Sequence, residues 1–398
     1  MTGRRHVLIA GAGIGGLTAA LALLRQGVDV DVYEQAAELQ ELGAGLQISA
    51  NGSRVLQALG LGAAVRAVAC IPTGKEIRLW NTGQTWKLFD LGAVSEQRYG
   101  APYLMIHRGD LHGILRRAVE REKPGAIHPG MRCVGVMQTG GEARLAFANG
   151  ATAGADAVIG ADGVHSQIRQ ALFGESRAEF TGIMAWRGLV PMRDLPARIA
   201  RPVGTNWVGP GGHVVHYPLR RGEVLNFVGI VERDDWRVES WTERGTKSEC
   251  AADFRFWHDD IQEIVGHIDV PFKWALLGRE PLARWSVGRV TLLGDACHPT
   301  LPFLAQGANM AIEDGFVLAR VLTAYQDVEA ALCAYEAARR ERTARIVRGS
   351  AENAARFHNK TLSTPNAAER YIDAEWREDR VKERYDWLFD YDATAVAI

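Results

Sequence analysis

The run His6-Val-Leu-Ile-Ala10-Gly11-Ala-Gly13-Ile-Gly15-Gly16 decides how the rest of this 398-residue chain is read. Its opening segment, His6 to Ala10, is an apolar run suited to a buried parallel strand. Gly11 permits a tight turn, Gly13 lets the backbone approach a pyrophosphate, and Gly16 allows close packing of a helix on the strand. Leu17, Ala20, Leu21 and Leu24 then recur at helical spacing, and Gly27 is placed to end that helix. Val28 to Tyr33 reads as a second strand with Asp29 and Asp31 alternating, and it runs into the acidic Glu34. Two strands joined by one helix must be parallel, with a right-handed crossover. The helix N-terminus offers unpaired N–H groups and a positive dipole end to phosphates. Glu34, at the end of the second strand, is placed to accept hydrogen bonds from ribose hydroxyls. The chain therefore opens as a doubly wound nucleotide-binding domain. This motif does not separate NAD from FAD.

Composition narrows the rest. The length suggests two or three domains with a core large enough to fold without staples. Hydrophobic residues make up 47% and charged residues 23%, which excludes a disordered or collagen-like chain. With 46 basic and 47 acidic residues the net charge is -1, so no polyanion-binding surface is implied and nucleic acid is not an expected partner. Cys70, Cys133, Cys250, Cys297 and Cys333 are odd in number, widely spread and form no C-x-x-C pair. That pattern suits neither a disulfide framework nor a thiolate metal site, no metal is expected, and a reducing cytoplasm fits best. Arg4 and Arg5 before the uncharged run Val7 to Leu24 imitate a signal peptide or short membrane span, but the glycines at 11, 13, 15 and 16 oppose a helical span. No other stretch is long and apolar enough to cross a bilayer.

Further along, residues 71–99 carry Trp80, Trp86 and several turn formers, and 102–123 return to a helical reading. Residues 180–280 are rich in Trp and β-branched residues, with a hairpin legible as His213 to Pro218, a turn at Arg220-Arg221-Gly222, and Val224 to Val231. Two more strand–turn–helix units carry polar residues. One is Asp156-Ala-Val-Ile-Gly-Ala-Asp162-Gly163-Val-His-Ser166-Gln-Ile-Arg169, which on its own also reads as a plain Asx turn. The other is Val290-Thr-Leu-Leu-Gly294-Asp295-Ala-Cys-His298-Pro299, followed by Gly307-Ala308 opening a helix whose N–H groups could face an electron-rich ring; taken singly, each unit reads equally well as a plain structural turn. The C-terminal end of the chain reads as helical and highly charged. Arg339, Arg340, Arg342, Arg345 and Arg348, interleaved with Glu336 and Glu341, read as a solvated helix face.

The three motifs occur in this order and at these separations in the single-component FAD-dependent aromatic hydroxylases, the p-hydroxybenzoate hydroxylase-like flavoprotein monooxygenases, which this chain resembles over nearly its whole length. It is most similar to the salicylate, 3-hydroxybenzoate and 6-hydroxynicotinate hydroxylases. With them it shares segments like Gly43-Ala-Gly45, His107-Arg108-Gly-Asp110-Leu111, Trp186-Arg187-Gly188 and Trp207-Val-Gly-Pro-Gly-Gly-His213-Val-Val-His-Tyr217-Pro218. The resemblance implies an α/β architecture: a discontinuous Rossmann-like FAD-binding domain (1–70, 100–178 and 281–345), an inserted mixed β-sheet substrate domain (71–99 and 179–280) and a C-terminal helical segment (346–398). It further implies bound FAD, transient NADH or NADPH, and hydroxylation of a small aromatic acid with O2 through a C4a-hydroperoxyflavin. A homodimer is compatible with it.

By the same resemblance Gly11, Gly13, Gly15 and Gly16 hold the FAD pyrophosphate, and Glu34 with Gln35 the adenosine end. Arg108, Met131 and Asp295 serve the cofactor, Gly307 and Ala308 lie against the isoalloxazine ring, and Asp162 with Gly163 serves both FAD and the nicotinamide nucleotide. Gln47 approaches flavin and substrate. Trp186, Val215, Pro302 and Phe303 line the substrate pocket. Hydroxylation needs an electron-rich ring, so a base must reach the substrate's phenol, and histidine titrates in the right range. Residues i, i+2 and i+4 of a strand share a face, so His213, Val215 and Tyr217 point one way and Val214 and His216 the other. His213 is assigned as the base and Tyr217 as a hydrogen-bond partner of the substrate, while His107, His216 and His298 are expected to brace or cap. Leu301, Pro302 and Phe303 make an apolar wall where related enzymes carry His or Gln. A hydroxybenzoate is expected, salicylate first, with 3-hydroxybenzoate or an N-heteroaromatic acid such as 6-hydroxynicotinate as alternatives. A flavin-binding protein without hydroxylase activity is the competing class.

Overall fold

The computed structural model describes residues 4–39, 44–175, 178–233, 235 and 243–398. Gly43 lies outside the described residues. The opening motif folds into strand β1 (His6–Ala10), helix α1 (Ile14–Arg25) and strand β2 (Asp29–Tyr33), with β1 and β2 parallel as expected. Gly27, at φ +83°, follows the helix in the left-handed conformation that glycine adopts without penalty. β1 also pairs in parallel with Ala157–Gly160, and that strand with Val290–Leu292, so the second and third motifs lie at the ends of strands neighbouring the first. The full sheet runs Ser286–Val287, Val290–Leu292, Ala157–Gly160, β1, β2, Ile127–His128. Its central strands are buried, and their continuous apolar runs suit a sheet covered on both faces.

A second sheet of seven strands is built largely from residues 179–278, with Gly74–Leu79 and Thr85–Asp90 at one edge. Its strand Gly212–Leu219 pairs antiparallel with both Val203–Gly209 and Val224–Glu232. The hairpin turn is tighter than a generic loop: Arg220 and Arg221 both take positive φ. The two faces of this sheet bury different clusters. His213 packs edge-on to Phe303, and Tyr217 shares its apolar cluster with Phe303 and Met105. On the opposite face Val214 is buried with Trp186, Trp207 and Phe254. Gly45–Ile48 and Leu104–His107 form a two-stranded link between the sheets. The second of these strands interrupts residues 102–123, for which the sequence pattern suggests helix throughout. The chain leaves it directly into the helix Arg108–Glu122.

The C-terminal helices close on the same chain. Tyr385 and Phe389 pack edge-on against Phe89, and Phe389 also against Tyr99 and Tyr103. The basic run of the helix Val328–Phe357 differs from its expectation as a solvated face. Arg339 is fully buried, donating to Glu313 at 2.5 Å and to Asp314 at 2.8 Å, and Arg342 donates to Glu313 at 2.9 Å. The interleaved Glu336 accepts from the Trp285 and Ser286 amides instead of pairing only along its helix. Charge spacing alone cannot tell a solvated helix face from one laid on buried acids of the preceding helix. No helix among the described residues is long and apolar enough to cross a membrane.

Replacing Arg339 with Met leaves two buried carboxylates short of a partner. It is expected to lower stability by about 3–5 kcal/mol, measured as a shift in the urea unfolding curve, whereas Arg345→Met on the same helix should leave that curve within about 0.5 kcal/mol of the parent.

Candidate active site

The glycines of the first motif have separable jobs. Gly11 sits at φ +107°, and a Cβ there would fall 2.3 Å from the Ala161 carbonyl oxygen. A Cβ on Gly16 would fall 2.1 Å from the Gly11 oxygen, so its absence lets α1 pack on the turn. Gly15 also has a packing role. Its missing side chain is taken up by Leu293 Cδ2 at 2.5 Å and Ala311 Cβ at 3.0 Å, so it serves the approach of α1 to the helix Gly307–Ala324. Gly13 is the reverse case: a Cβ there would meet nothing within 4 Å. Protein packing does not require glycine at this place, and the free space lies at the start of α1. That helix has no side-chain cap and no acid in its first turn, so its N–H groups are open to an anion.

Glu34 accepts from the Ala12 amide and from the Ala36 amide, both at 2.9 Å. The carboxylate thus pins the glycine turn and keeps lone pairs on its far side for a ribose. Gln35 is exposed next to it, and the Met131 amide donates to the Glu34 carbonyl at 2.8 Å, placing Met131 at the same corner. Asp162 has strong local partners. Its Oδ1 accepts from Ser166 Oγ and its Oδ2 from the amides of Gln167 and Ile168. The carboxylate is spent on the N-terminus of the helix Gln167–Phe173, which is the Asx-type reading of this motif. The contribution of this segment to the cradle is the backbone of Ala161 and Asp162 against Gly11. Arg169 ties it to the third motif by donating to the Ala296 carbonyl at 3.1 Å.

Asp295 is exposed at its surface, and the protein packed around it raises its pKa. The positive charge of Arg108, the first residue of its helix, acts on Asp295 in the opposite direction. Burial, with Arg108 second, pulls the Arg187 guanidinium down to about 10. The helix Gly307–Ala324 begins at half-buried Gly307 and Ala308 with no side-chain cap and no first-turn acid. Its preceding residue, Gln306, is turned aside to bond Ser49 and Asn51. Two long helices therefore present bare N-termini, one where a pyrophosphate would lie and one where an electron-rich ring would lie. With Asp295, Glu34 and the vacant side-chain space at Gly13, the donor set fits FAD.

On the substrate side the strand alternation holds. His213 is buried, with rings of Phe303 at 5.1 Å and Phe357 at 5.0 Å, and its Nδ1 lies 2.7 Å from Nε2 of His358. Burial, then the neighbouring His358, pulls its pKa well below the usual value, so the ring is neutral. Val215 is half-buried between His213 and Tyr217. Tyr217 packs over Gly45, where a Cβ would lie 2.6 Å from its ring. Gln47 is the hub of this end: its Oε1 accepts from Tyr103 Oη at 2.6 Å and from Lys75 Nζ at 2.8 Å. Lys75 also lies over the rings of Phe89 and Tyr103. It forms no ion pair with an acid of the described residues, and burial lowers its pKa to about 8. Pro302 is exposed at the start of a short 3-10 turn, while Phe303 next to it is buried against His213.

Trp186 does not belong to this face. It is fully buried on the opposite side of the sheet, and its Nε1 donates to Asp253 at 2.7 Å. Alternation puts its neighbour Arg187 on the side that feels Arg108. His216 also lies on the far face, accepting from Trp207 Nε1, and His298 is a brace bonded to Asp314 at 2.6 Å. Lys75, Tyr103 and His358 escape the sequence reading. A lysine in an alternating strand reads as solvent-facing, Tyr103 sits in a plain apolar run, and His358 ends a helix whose other charges draw attention.

Residues 4–350 match the family described as an FAD binding domain. The chain is 38% identical over 396 residues to 3-amino-4-hydroxybenzoate 2-monooxygenase PtnB3 of Streptomyces platensis, covering 99% of this chain and 98% of that protein. It is 36% identical over 391 residues to a 3-hydroxybenzoate 6-hydroxylase of Polaromonas naphthalenivorans, covering 97% and 96%. The crystal structure of Klebsiella pneumoniae HpxO complexed with FAD and uric acid superposes with a TM-score of 0.82 at 27% identity, covering 96% of this chain and 97% of that one. The chain belongs to the FAD-binding flavoprotein family. Within it, this protein is an FAD-dependent aromatic hydroxylase.

Gly13→Val should fold with unchanged secondary structure, since the added side chain enters open space, yet raise the FAD dissociation constant at least about 100-fold by blocking the pyrophosphate approach. Gly16→Val, which drives a side chain into the Gly11 carbonyl, should fail to fold; circular dichroism and flavin absorbance separate the two outcomes.

Proposed function

We propose that the protein hydroxylates a hydroxybenzoate whose carboxylate and phenol stand on non-adjacent ring carbons, using NADH or NADPH as reductant and O2 as co-substrate. The observation that carries this is the placing of Lys75, Gln47 and Tyr217 at one end of the strand face and neutral His213 at the other. His213 and Tyr217 are four positions apart on one strand, about 13 Å between Cα atoms. Lys75 supplies a buried ammonium without an acidic partner among the described residues, and an aromatic carboxylate completes it. Tyr103 and Gln47 hold that ammonium and the carboxylate in register. Phe303 and Val215 wall the ring. His213, neutral at working pH, takes the phenol proton and so makes the ring electron-rich.

The FAD, when bound, supplies the activated oxygen; Glu34, Arg108, Asp295 and the two bare helix N-termini hold it. A 3- or 4-hydroxy acid spans the two ends better than salicylate, whose two groups are adjacent. The names of the two relatives, a 3-amino-4-hydroxybenzoate 2-monooxygenase and a 3-hydroxybenzoate 6-hydroxylase, support the same preference.

The deciding assay follows NADH and NADPH oxidation in air with salicylate, 3-hydroxybenzoate, 4-hydroxybenzoate, 3-amino-4-hydroxybenzoate and 6-hydroxynicotinate, with product and peroxide measured together. Coupled product from a 3- or 4-hydroxy acid is expected; coupled turnover of salicylate alone would overturn this reading. Lys75→Met should raise the KM for the acid about 10-fold or more with FAD retained. In the parent enzyme acid binding should weaken as pH rises through about 8, where Lys75 loses its charge, and this pH dependence should vanish in the variant. His213→Asn should cut the hydroxylation rate on the order of 100-fold and divert reducing equivalents to peroxide, while leaving the acid's dissociation constant near the parent value.

A further inference from the structure

A buried base whose pKa is depressed cannot keep a proton, so the proton it takes has to go elsewhere. His213 is fully enclosed, and the two aromatic rings of Phe303 and Phe357 shut it off from water on that side. One polar path leads outward. His213 Nδ1 lies 2.7 Å from His358 Nε2, and His358 Nδ1 lies 2.8 Å from Glu232 Oε1. His358 is itself buried, whereas the Glu232 side chain is 51% exposed. The path thus starts at His213, passes one enclosed imidazole and ends in solvent.

The backbone fixes this geometry. The Gly211 amide donates to the His358 carbonyl at 3.2 Å, and the Glu232 amide donates to the Gly211 carbonyl at 2.9 Å. The tight turn before His213 therefore clamps the end of the Val328–Phe357 helix and the end of the Val224–Glu232 strand onto one point. His358 is the capping residue of that helix, so the whole C-terminal arm is held where this buried histidine bridges strand and surface. The titratable groups acting on the pair are few: burial and His358 act on His213, and burial and Glu232 act on His358.

We propose that His213, His358 and Glu232 form a proton relay that carries the substrate's phenolic proton to solvent, which makes His358 and Glu232 functional residues of the hydroxylase. This rests on the assignment of His213 as the base. The step balances without any added reagent. The phenol O–H breaks as His213 Nε2 gains its proton; His213 Nδ1–H passes its proton to His358 Nε2; His358 Nδ1–H passes its proton to the Glu232 carboxylate, which releases it to water. Both imidazoles end neutral with their tautomers exchanged, and the only new buried charge is the phenolate. Running the chain backwards returns a proton to the product phenolate and resets both tautomers. Neither histidine carries a buried positive charge at rest, which removes the cost that would otherwise oppose a base in so enclosed a place.

The relay predicts kinetics that a purely structural His358 would not show. Oxidised enzyme without NADH is mixed rapidly with the hydroxybenzoate that gives coupled product, in weak buffer with a pH-indicator dye. Phenolate absorbance and proton release are then followed together. In the parent enzyme both should appear in one fast phase. His358→Gln keeps a hydrogen-bonding side chain that cannot shuttle protons, and Glu232→Gln changes only an exposed residue. Each should slow both signals at least about ten-fold, with FAD content and the acid's dissociation constant unchanged, and added acetate should restore part of the rate in Glu232→Gln. Parent-like rates in Glu232→Gln and in folded His358→Gln would overturn the relay. Should His358→Gln fail to fold, Glu232→Gln decides alone. Binding of the acid to the parent without phenolate formation would instead overturn the base assignment, and the relay with it; that outcome is distinct, because it is seen before any variant is made.

Discussion

The structure depends on a charge balance beneath the helix Gly307–Ala324, whose bare N-terminus fits the flavin ring. Glu313 and Asp314 lie at the end of its second turn, fully buried, where two uncompensated carboxylates would cancel the positive end that the helix offers to the cofactor ring. Burial alone would raise their pKa values; the charges of Arg342 and Arg339 on Glu313, and of His298 and Arg339 on Asp314, outweigh it and keep both ionised. Asn51 and Gln306 extend the same network to the segment beside the substrate. One set of ion pairs therefore fixes the helix Val328–Phe357, the third motif through His298, and the direction of the helix Gly307–Ala324 at once. Such a network is costly to bury and gives little net stability, but it admits one arrangement of these parts.

Local patterns reveal most of the architecture because its deciding features are local. A glycine turn between an apolar strand and a periodic helix specifies itself within one short stretch of chain, and the alternation of His213, Val215 and Tyr217 follows from the geometry of any strand. What stays hidden depends on distant partners. Arg339 looks like any other arginine of a charged helix until Glu313 and Asp314 are brought under it. Gly15 looks like part of a phosphate cradle and nothing more until Leu293 and Ala311 arrive. Lys75 looks solvent-facing until the second sheet meets the link strand that carries Gln47. A shared segment suggests the pocket for Trp186, and a one-residue change of face in the strand moves it to the far cluster. Asp162 illustrates the opposite lesson: the plain Asx reading available from the residues describes its hydrogen bonds.

The seven-stranded sheet divides labour between its faces. One face packs Trp186, Trp207 and Phe227 against Phe254 and carries the ion pairs of Arg78 with Glu76 and Asp260, which stiffen the sheet. The other carries a cationic end at Lys75 and a basic but uncharged end at His213. In the proposed function a ring held between them would be oriented by two unlike polar groups and by the Phe303 wall, along the strand and across it.

The residues that fit FAD run from position 11 to position 308, and the helix Gly307–Ala324 among them is steadied by Arg339 and Arg342. A nascent chain therefore has no competent flavin site until its last third has been made and docked. Because ligand binding stabilises only the finished form, yellow colour marks completed chains, and a truncated or misdocked C-terminal arm should yield colourless protein that cells clear by proteolysis rather than a half-active enzyme releasing peroxide.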